Sequence, residues 1–180
     1  ADIYSSMARC HLAADKWRDA TGPLKKVYAI APDFMRRSWA ATLLTTAYFK
    51  DLDLDSVYPL VPYILRPNSF ASRSVAFNLA ALEAGDELFA VERYRDALWV
   101  FRMVYPHDQV IMSSDEYLEW LQQRAKRLRE RPADPRLLMR LQEGIGELEE
   151  EIKAMRSVDN YDLELLFRIA RGYMEMLRYR

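Results

Sequence analysis

At 180 residues, with 51% hydrophobic and 29% charged side chains, the chain can bury a continuous core, and only 5 Gly argue against an all-β or disordered protein. A net charge of −1 and a pI near 6.2 give no global attraction to nucleic acid or an anionic membrane, so such binding needs a local patch. A single cysteine, Cys10, excludes an internal disulfide, and no run of about 18 apolar residues is present to cross a bilayer.

Residues 1 to 33 read as two helices, with apolar positions at Ile3, Tyr4, Met7, Ala8, His11 and Leu12, then at Trp17, Ala20, Leu24, Val27 and Tyr28. Gly22-Pro23 falls inside the second, where proline removes a hydrogen bond and predicts a kink. Asp33 is placed to cap a third helix from Phe34 to about Lys50. The stretch that follows, with Pro59, Pro62 and Pro67, leaves room for a short, distorted helix around Val57 to Leu65.

From about Ser69 to Ala90 a long helical pattern returns, with Tyr94 to Val104 as its antiparallel partner. Ser113 with Glu116 three residues later forms a capping box, which predicts a helix from there to Arg131. Asp134-Pro135 opens another, to about Ser157. These two carry apolar heptads, and folding back at Pro132-Ala133-Asp134 puts Leu118 opposite Leu148, Leu121 opposite Ile145, Ala125 opposite Leu141 and Leu128 opposite Leu138. That is the pattern of an antiparallel coiled-coil hairpin, with Gln122 opposite Gln142 on its flank. Asn160 or Asp162 caps a last helix bearing Leu166, Ile169, Ala170, Tyr173 and Leu177.

The tetrad Trp17-Arg18-Asp19-Ala20 recurs as Tyr94-Arg95-Asp96-Ala97, and its first half as Tyr179-Arg180. With Ala20 laid over Ala97, Tyr4, Met7, Ala8, His11, Leu24 and Val27 fall on Ala81, Ala84, Gly85, Leu88, Phe101 and Val104. Ala8, Gly85 and Ala170 then mark where the first helix of each unit crosses its second, a place where a larger side chain would force the helices apart.

This spacing of large and small residues resembles the tetratricopeptide repeat. The resemblance covers residues 1–33 and 78–109 and half a unit in 163–180, while 36–67 matches poorly, with Trp39 and Pro67 in place but Asp55, Pro59 and Pro62 in apolar columns. It implies an all-α superhelix of helical hairpins, an α-solenoid, over 1–109 (1–33, a degenerate 34–67, and 68–109). The coiled-coil hairpin at 110–158 is then an insertion, and 159–180 the first helix of a further unit. Because that unit stops halfway, the sequence is expected to be a piece of a longer chain. The absence of a basic, apolar signal peptide from Ala1-Asp2-Ile3-Tyr4 then carries little weight. The [WY]-R-D-A signature with its Val-Tyr ending is similar to bacterial envelope members of the family, which implies an extracytoplasmic setting.

No catalytic, metal or cofactor motif emerges. His11 sits in a core column beside Cys10, zinc wants four ligands, and His107-Asp108 reads as a turn. Asp51 to Asp55 copies the start of a calcium loop but lacks its glycine and closing glutamate, and Gly144-Ile145-Gly146 lies mid-helix with no strand before it. The resemblance instead implies a non-catalytic scaffold whose partner, a protein or peptide, lies along the first helices. By matching positions the groove is Ser5, Arg9 and Leu12; Leu82, Asp86 and Phe89; and Phe167, Arg171 and Met174. The hairpin tip offers a second surface, Arg124, Lys126, Arg127, Arg129, Arg131, Arg136 and Arg140 against Glu130 and Asp134, suited to an anionic polymer or headgroup surface but without the interleaved aromatics of a nucleic-acid site. The unpaired last helix is also a candidate for self-association.

Overall fold

The structure, a computed structural model, describes residues 2–130 and 135–178. It is all-helical, with no strand among those residues: α1 (Asp2–Ala13), α2 (Trp17–Ile30), α3 (Phe34–Lys50), α4 (Leu54–Val57), α5 (Val61–Ile64), α6 (Val75–Ala90), α7 (Tyr94–Phe101), α8 (His107–Arg129), α9 (Pro135–Ser157) and α10 (Asp162–Arg178). The helices form two compact units, one from the chain up to Tyr105 together with the segment from Asp162, the other from Pro106 to Tyr161. The turn at Pro132-Ala133-Asp134, Arg131 and Tyr179-Arg180 lie outside the described residues.

In the first unit each helix packs on the next, α1 on α2, α2 on α3, α3 on α6, α6 on α7 and α7 on α10. Three of the junctions share one backbone device. Asp15, Leu52 and Glu92 have φ of 53°, 54° and 61°, and the next amide returns to the carbonyl five residues back, Lys16 N to His11 O, Asp53 N to Tyr48 O and Arg93 N to Leu88 O, each at 2.9 Å. This is the Schellman ending, which uses two of a helix's orphan carbonyls and sends the chain directly into α2, α4 or α7.

These turns correct the register of the middle pair. Asp15 and Leu52 are 37 positions apart, whereas the Trp39 spacing implies 35. At the corrected offset Ala20 and Val27 correspond to Val57 and Ile64, both fully buried, so the apolar columns are filled there after all. What remains irregular is the rod, broken by Pro59 and Pro62 into α4, a 3-10 turn and α5.

Helix α3 is central. Every residue from Ala40 to Phe49 is buried, and the Thr42, Thr45 and Thr46 hydroxyls are satisfied by donating back to the carbonyls of Ser38, Ala41 and Thr42. Asp33 accepts the Arg36 amide at 2.8 Å as its cap. Helix α2 runs unbroken through Pro23. The segment expected as one helix from Ser69 is instead a 3-10 turn, Phe70–Arg73, followed by α6, because Ser74 is extended and caps Phe77.

Small residues set the closest approaches. Ala8, Ala20 and Ala97 are fully buried, and a Cβ on Gly85 would lie 2.3 Å from the Phe101 ring. The crossing marked by Ala170 is untested, because it needs a second helix that is not among the described residues. Ala170, Leu166, Tyr173 and Leu177 are exposed, and α10 meets α7 through another face, with Leu165 and Gly172 buried and Leu98 where a Gly172 side chain would be. Of the matched columns, Leu166, Ala170 and Tyr173 are exposed on α10 and Tyr4 and Met7 are exposed on α1, whereas Ala81, Ala84, Gly85 and Leu88 are buried on α6.

The second unit is an antiparallel helix pair. Leu121, Leu148 and Ile152 form its core, with Tyr117, Leu118, Leu141 and Ile145 packed against them. Helix α8 starts at His107 after Pro106, so Ser113 and Glu116 lie inside it and form no capping box. On the flank Gln122 reaches Glu149 rather than Gln142, at 3.2 Å, and Arg156 grips Asp115 through two bonds of 2.9 and 2.8 Å. His107 is buried, with Nε2 3.2 Å from the Met155 carbonyl oxygen and its ring edge-on to Tyr161. It is an anchor of the pair, not a turn residue.

Candidate functional site

The residues expected to line a groove fall on α1, α6 and α10, and the structure joins the last two sets. Arg168 donates to both oxygens of Asp86, Nε at 2.7 Å and Nη2 at 2.8 Å, and lies 3.2 Å from Glu164 one turn earlier. The Asp86 hydrogen bonds hold the Arg168 guanidinium above its usual value against the opposing effect of burial, with the charges of Asp86 and Glu164 adding. One turn on, Arg171 lies 4.7 Å from the Phe89 ring centre, and Phe89 in turn meets Tyr94 edge-on at 4.9 Å.

Asp86, Phe89 and Arg171 are therefore used inside the unit, fixing α10 to α6. Leu82 is buried and presents nothing to a ligand, a correction to its place in the groove. Its column faces the core because α6 is covered on both sides, by α3 and by α7. Arg168, which the sequence reading passed over, is the residue that organises this cluster. Its signal was available as a cation four residues after Glu164 and three before Arg171.

The α1 set is placed differently. Ser5 and Leu12 are half-buried, while Arg9 is exposed with its guanidinium 6.0 Å from the Trp39 ring centre on α3. Phe167 and Met174 remain open on α10. They belong to a longer run of exposed apolar side chains there, Leu163, Leu166, Phe167, Tyr173, Met174 and Leu177. Successive members lie one, three or six positions apart, which at 100° per residue gathers them within about 120° on one side of the helix.

Other candidate groups resolve into structural roles. Asp51 pairs with Arg18 of the first tetrad, Nη2 to Oδ1 at 2.7 Å, and Asp53 caps α4 by accepting the Ser56 amide. Cys10 is an exposed free thiol, and His11 is half-buried rather than a core residue. At the hairpin tip Arg124 lies over Trp120 at 5.2 Å, and Arg127 donates to the Gln123 carbonyl. Arg124, Arg127, Arg129, Arg136 and Arg140 are exposed, as are Leu137 and Met139 among them.

Compared with protein-family models, with curated proteins and with solved structures, the chain matches none.

Proposed function

We propose that the chain is a non-catalytic, tetratricopeptide-like scaffold carrying an inserted coiled-coil hairpin, and that it holds a segment of another protein along its first helices. The recurring αL turn after α1, α3 and α6 supports the repeat reading, since three helices end in one backbone geometry without the glycine that usually marks such an ending. The observation that carries the binding reading is Arg9. It is an exposed cation held over Trp39 by an aromatic face, a contact worth about 0.5–1 kcal/mol at an exposed site and suited to orienting the guanidinium toward a carboxylate.

Arg9→Glu is expected to lose a bound partner while leaving helicity unchanged. The measurement is affinity capture on the immobilised chain with mass spectrometry, wild type against variant, with circular dichroism as the folding control. A captured set identical for the two proteins would remove Arg9 from the binding surface.

A second reading is favoured by one feature of the hairpin tip, the exposed Leu137 and Met139 set among arginines, a combination suited to an anionic headgroup surface. If this surface works, co-sedimentation with vesicles rich in anionic lipid falls as salt is raised and is lost in Arg127→Glu/Arg129→Glu. Binding indifferent to both changes would exclude it.

A further inference from the structure

We propose that the first turns of α9, residues 135–143, open away from α8 at Gly144 and Gly146 and lay their leucine face on an anionic bilayer. The proposal rests on the second reading above, that the basic tip works on an anionic headgroup surface, and says how the hairpin engages it. Arg9 and Trp39 are left for the partner segment.

The hairpin is held unevenly along its length. On α9 the buried residues are Leu148, Ile152 and Met155, all beyond Gly146, whereas before Gly144 only Leu138 and Leu141 are even half-buried. Three side-chain ties between the two helices, His107 to the Met155 carbonyl, Arg156 to Asp115 and Gln122 to Glu149, also lie beyond Gly146. Gly144 and Gly146 stand between the two halves. Glycine is the poorest helix former after proline because ordering it removes the most backbone freedom. Nothing lies within 4 Å of a Cβ built on either, so no close approach calls for glycine at these places. What the pair supplies is a point where the helix breaks at least cost.

The first turns of α9 also carry the wrong charge for a helix start. The first turn holds no acidic residue, and Arg136 and Arg140 stand near the end where the macrodipole and the orphan amides are already positive. The end of α8 adds Lys126, Arg127 and Arg129 to the same tip, with Glu130 beside them. An anionic surface relieves this repulsion. The connection leaves room for the movement, since six Cα steps from Arg129 to Pro135 reach at most about 20 Å, roughly twice the separation of packed helices.

Once open, the segment suits a bilayer rather than a soluble polyanion. At 100° per residue Leu137, Leu138 and Leu141 fall within an arc of about 100°, and Arg140 and then Arg136 follow on one side of it. In the closed hairpin Leu138 and Leu141 are half-buried, and Leu137 is 45% exposed. A soluble polyanion satisfies the arginines but offers the leucines no apolar phase. A bilayer rich in anionic lipid does both, taking the leucines below its headgroups while the arginines stay among them.

The test uses the intact chain and vesicles of phosphatidylcholine and phosphatidylglycerol in equal parts. Gly144→Ala/Gly146→Ala is the central variant. Each alanine favours the unbroken helix about 5-fold, so the pair should weaken co-sedimentation by about an order of magnitude with helicity unchanged or higher. Spin labels in a Cys10→Ser background report the movement. A pair at Glu130→Cys/Met139→Cys, exposed positions across the tip, should move apart when vesicles are added, while a pair at Glu116→Cys/Glu150→Cys, exposed in the other half, should hold its distance. Leu137→Ser should weaken vesicle binding and leave binding to inorganic polyphosphate as it was. A tip pair that keeps its distance on bound vesicles, or a glycine double variant that binds as the wild type does, overturns the opening and leaves the basic-surface reading standing. Polyphosphate bound as tightly as vesicles, with Leu137→Ser changing neither, overturns the bilayer as the ligand. No binding to these vesicles at low salt overturns both the proposal and the reading on which it rests.

Discussion

Gly85→Ala is expected to destabilise the chain by about 2 kcal/mol, although the same change in an open helix stabilises. In a helix interior alanine gains about 1 kcal/mol over glycine. At this site the new methyl would lie 2.3, 2.6 and 2.8 Å from three atoms of the Phe101 ring, and that ring is 1% exposed, so it has no free space to move into. Overpacking a closed core costs about 1–3 kcal/mol, and a contact this short belongs at the upper end. The loss would appear as a lower urea midpoint, or as a fall in Tm of about 4–8 °C for a chain of this size. Phe101→Leu in the Gly85→Ala background should recover part of it, a coupling that a double-mutant cycle measures directly. Gly146→Ala supplies the opposite sign, since nothing lies within 4 Å of its Cβ and only the helix-propensity gain remains. Equal stability of Gly85→Ala and wild type would mean that α6 and α7 separate readily, and close nesting would then not be what holds the pair together.

Much of this architecture is legible before any coordinates because it rests on local signals. Asp33 announces α3, and the heptads of α8 and α9 select the residues that pack in their shared core, because apolar periodicity and burial are the same fact on an amphipathic helix. The Schellman turns are not legible. Their αL positions hold Asp15, Leu52 and Glu92, of which only Asp has even a modest tendency toward φ > 0, and tertiary packing imposes what glycine would have advertised. That silence caused the two-residue slip in the middle pair, since Trp39 and Pro67 were the landmarks and neither marks the end of α3. Ala170 is a different case. The column analysis identified its face as one made to be covered, but whether anything covers it is a property of neighbours, not of the helix itself. The same limit applies at the site: matching positions selected Asp86, Phe89 and Arg171, yet their being used within the unit depends on Arg168, which no family position singles out.

Asn78→Ala should cost about 3 kcal/mol, the largest loss expected from a single side chain outside the apolar core. Asn78 is fully buried and uses both ends of its amide. Oδ1 accepts the Tyr105 backbone N–H at 2.7 Å, and Nδ2 donates to the Ser74 carbonyl at 2.8 Å and the Ala71 carbonyl at 3.3 Å. The two carbonyls also accept backbone amides, Ser74 O from Asn78 N and Ala71 O from Ser74 N, so they keep a partner when the side chain is removed. The part-buried Tyr105 N–H loses the bond that Asn78 supplies, and that broken bond adds to the cavity left by a fully buried side chain. Asn78→Asp should not rescue it, because it keeps the acceptor but turns a carboxylate oxygen toward two carbonyls. Amide exchange at Tyr105 is the local readout: protection there should collapse in Asn78→Ala while α8 and α9 are unaffected. The Tyr105 phenol reports on the same junction. It donates to the Ile64 carbonyl at 2.9 Å, and burial pushes its pKa up, only partly opposed by its hydrogen bond to Ser69. The folded chain therefore holds that proton more tightly than the unfolded chain. The resulting stability is complete below about pH 10, the value for a free tyrosine, and is lost as pH rises through the folded pKa. Tyr105→Phe should flatten that alkaline loss, and a decline above about pH 10 that persists unchanged in Tyr105→Phe would place its origin elsewhere.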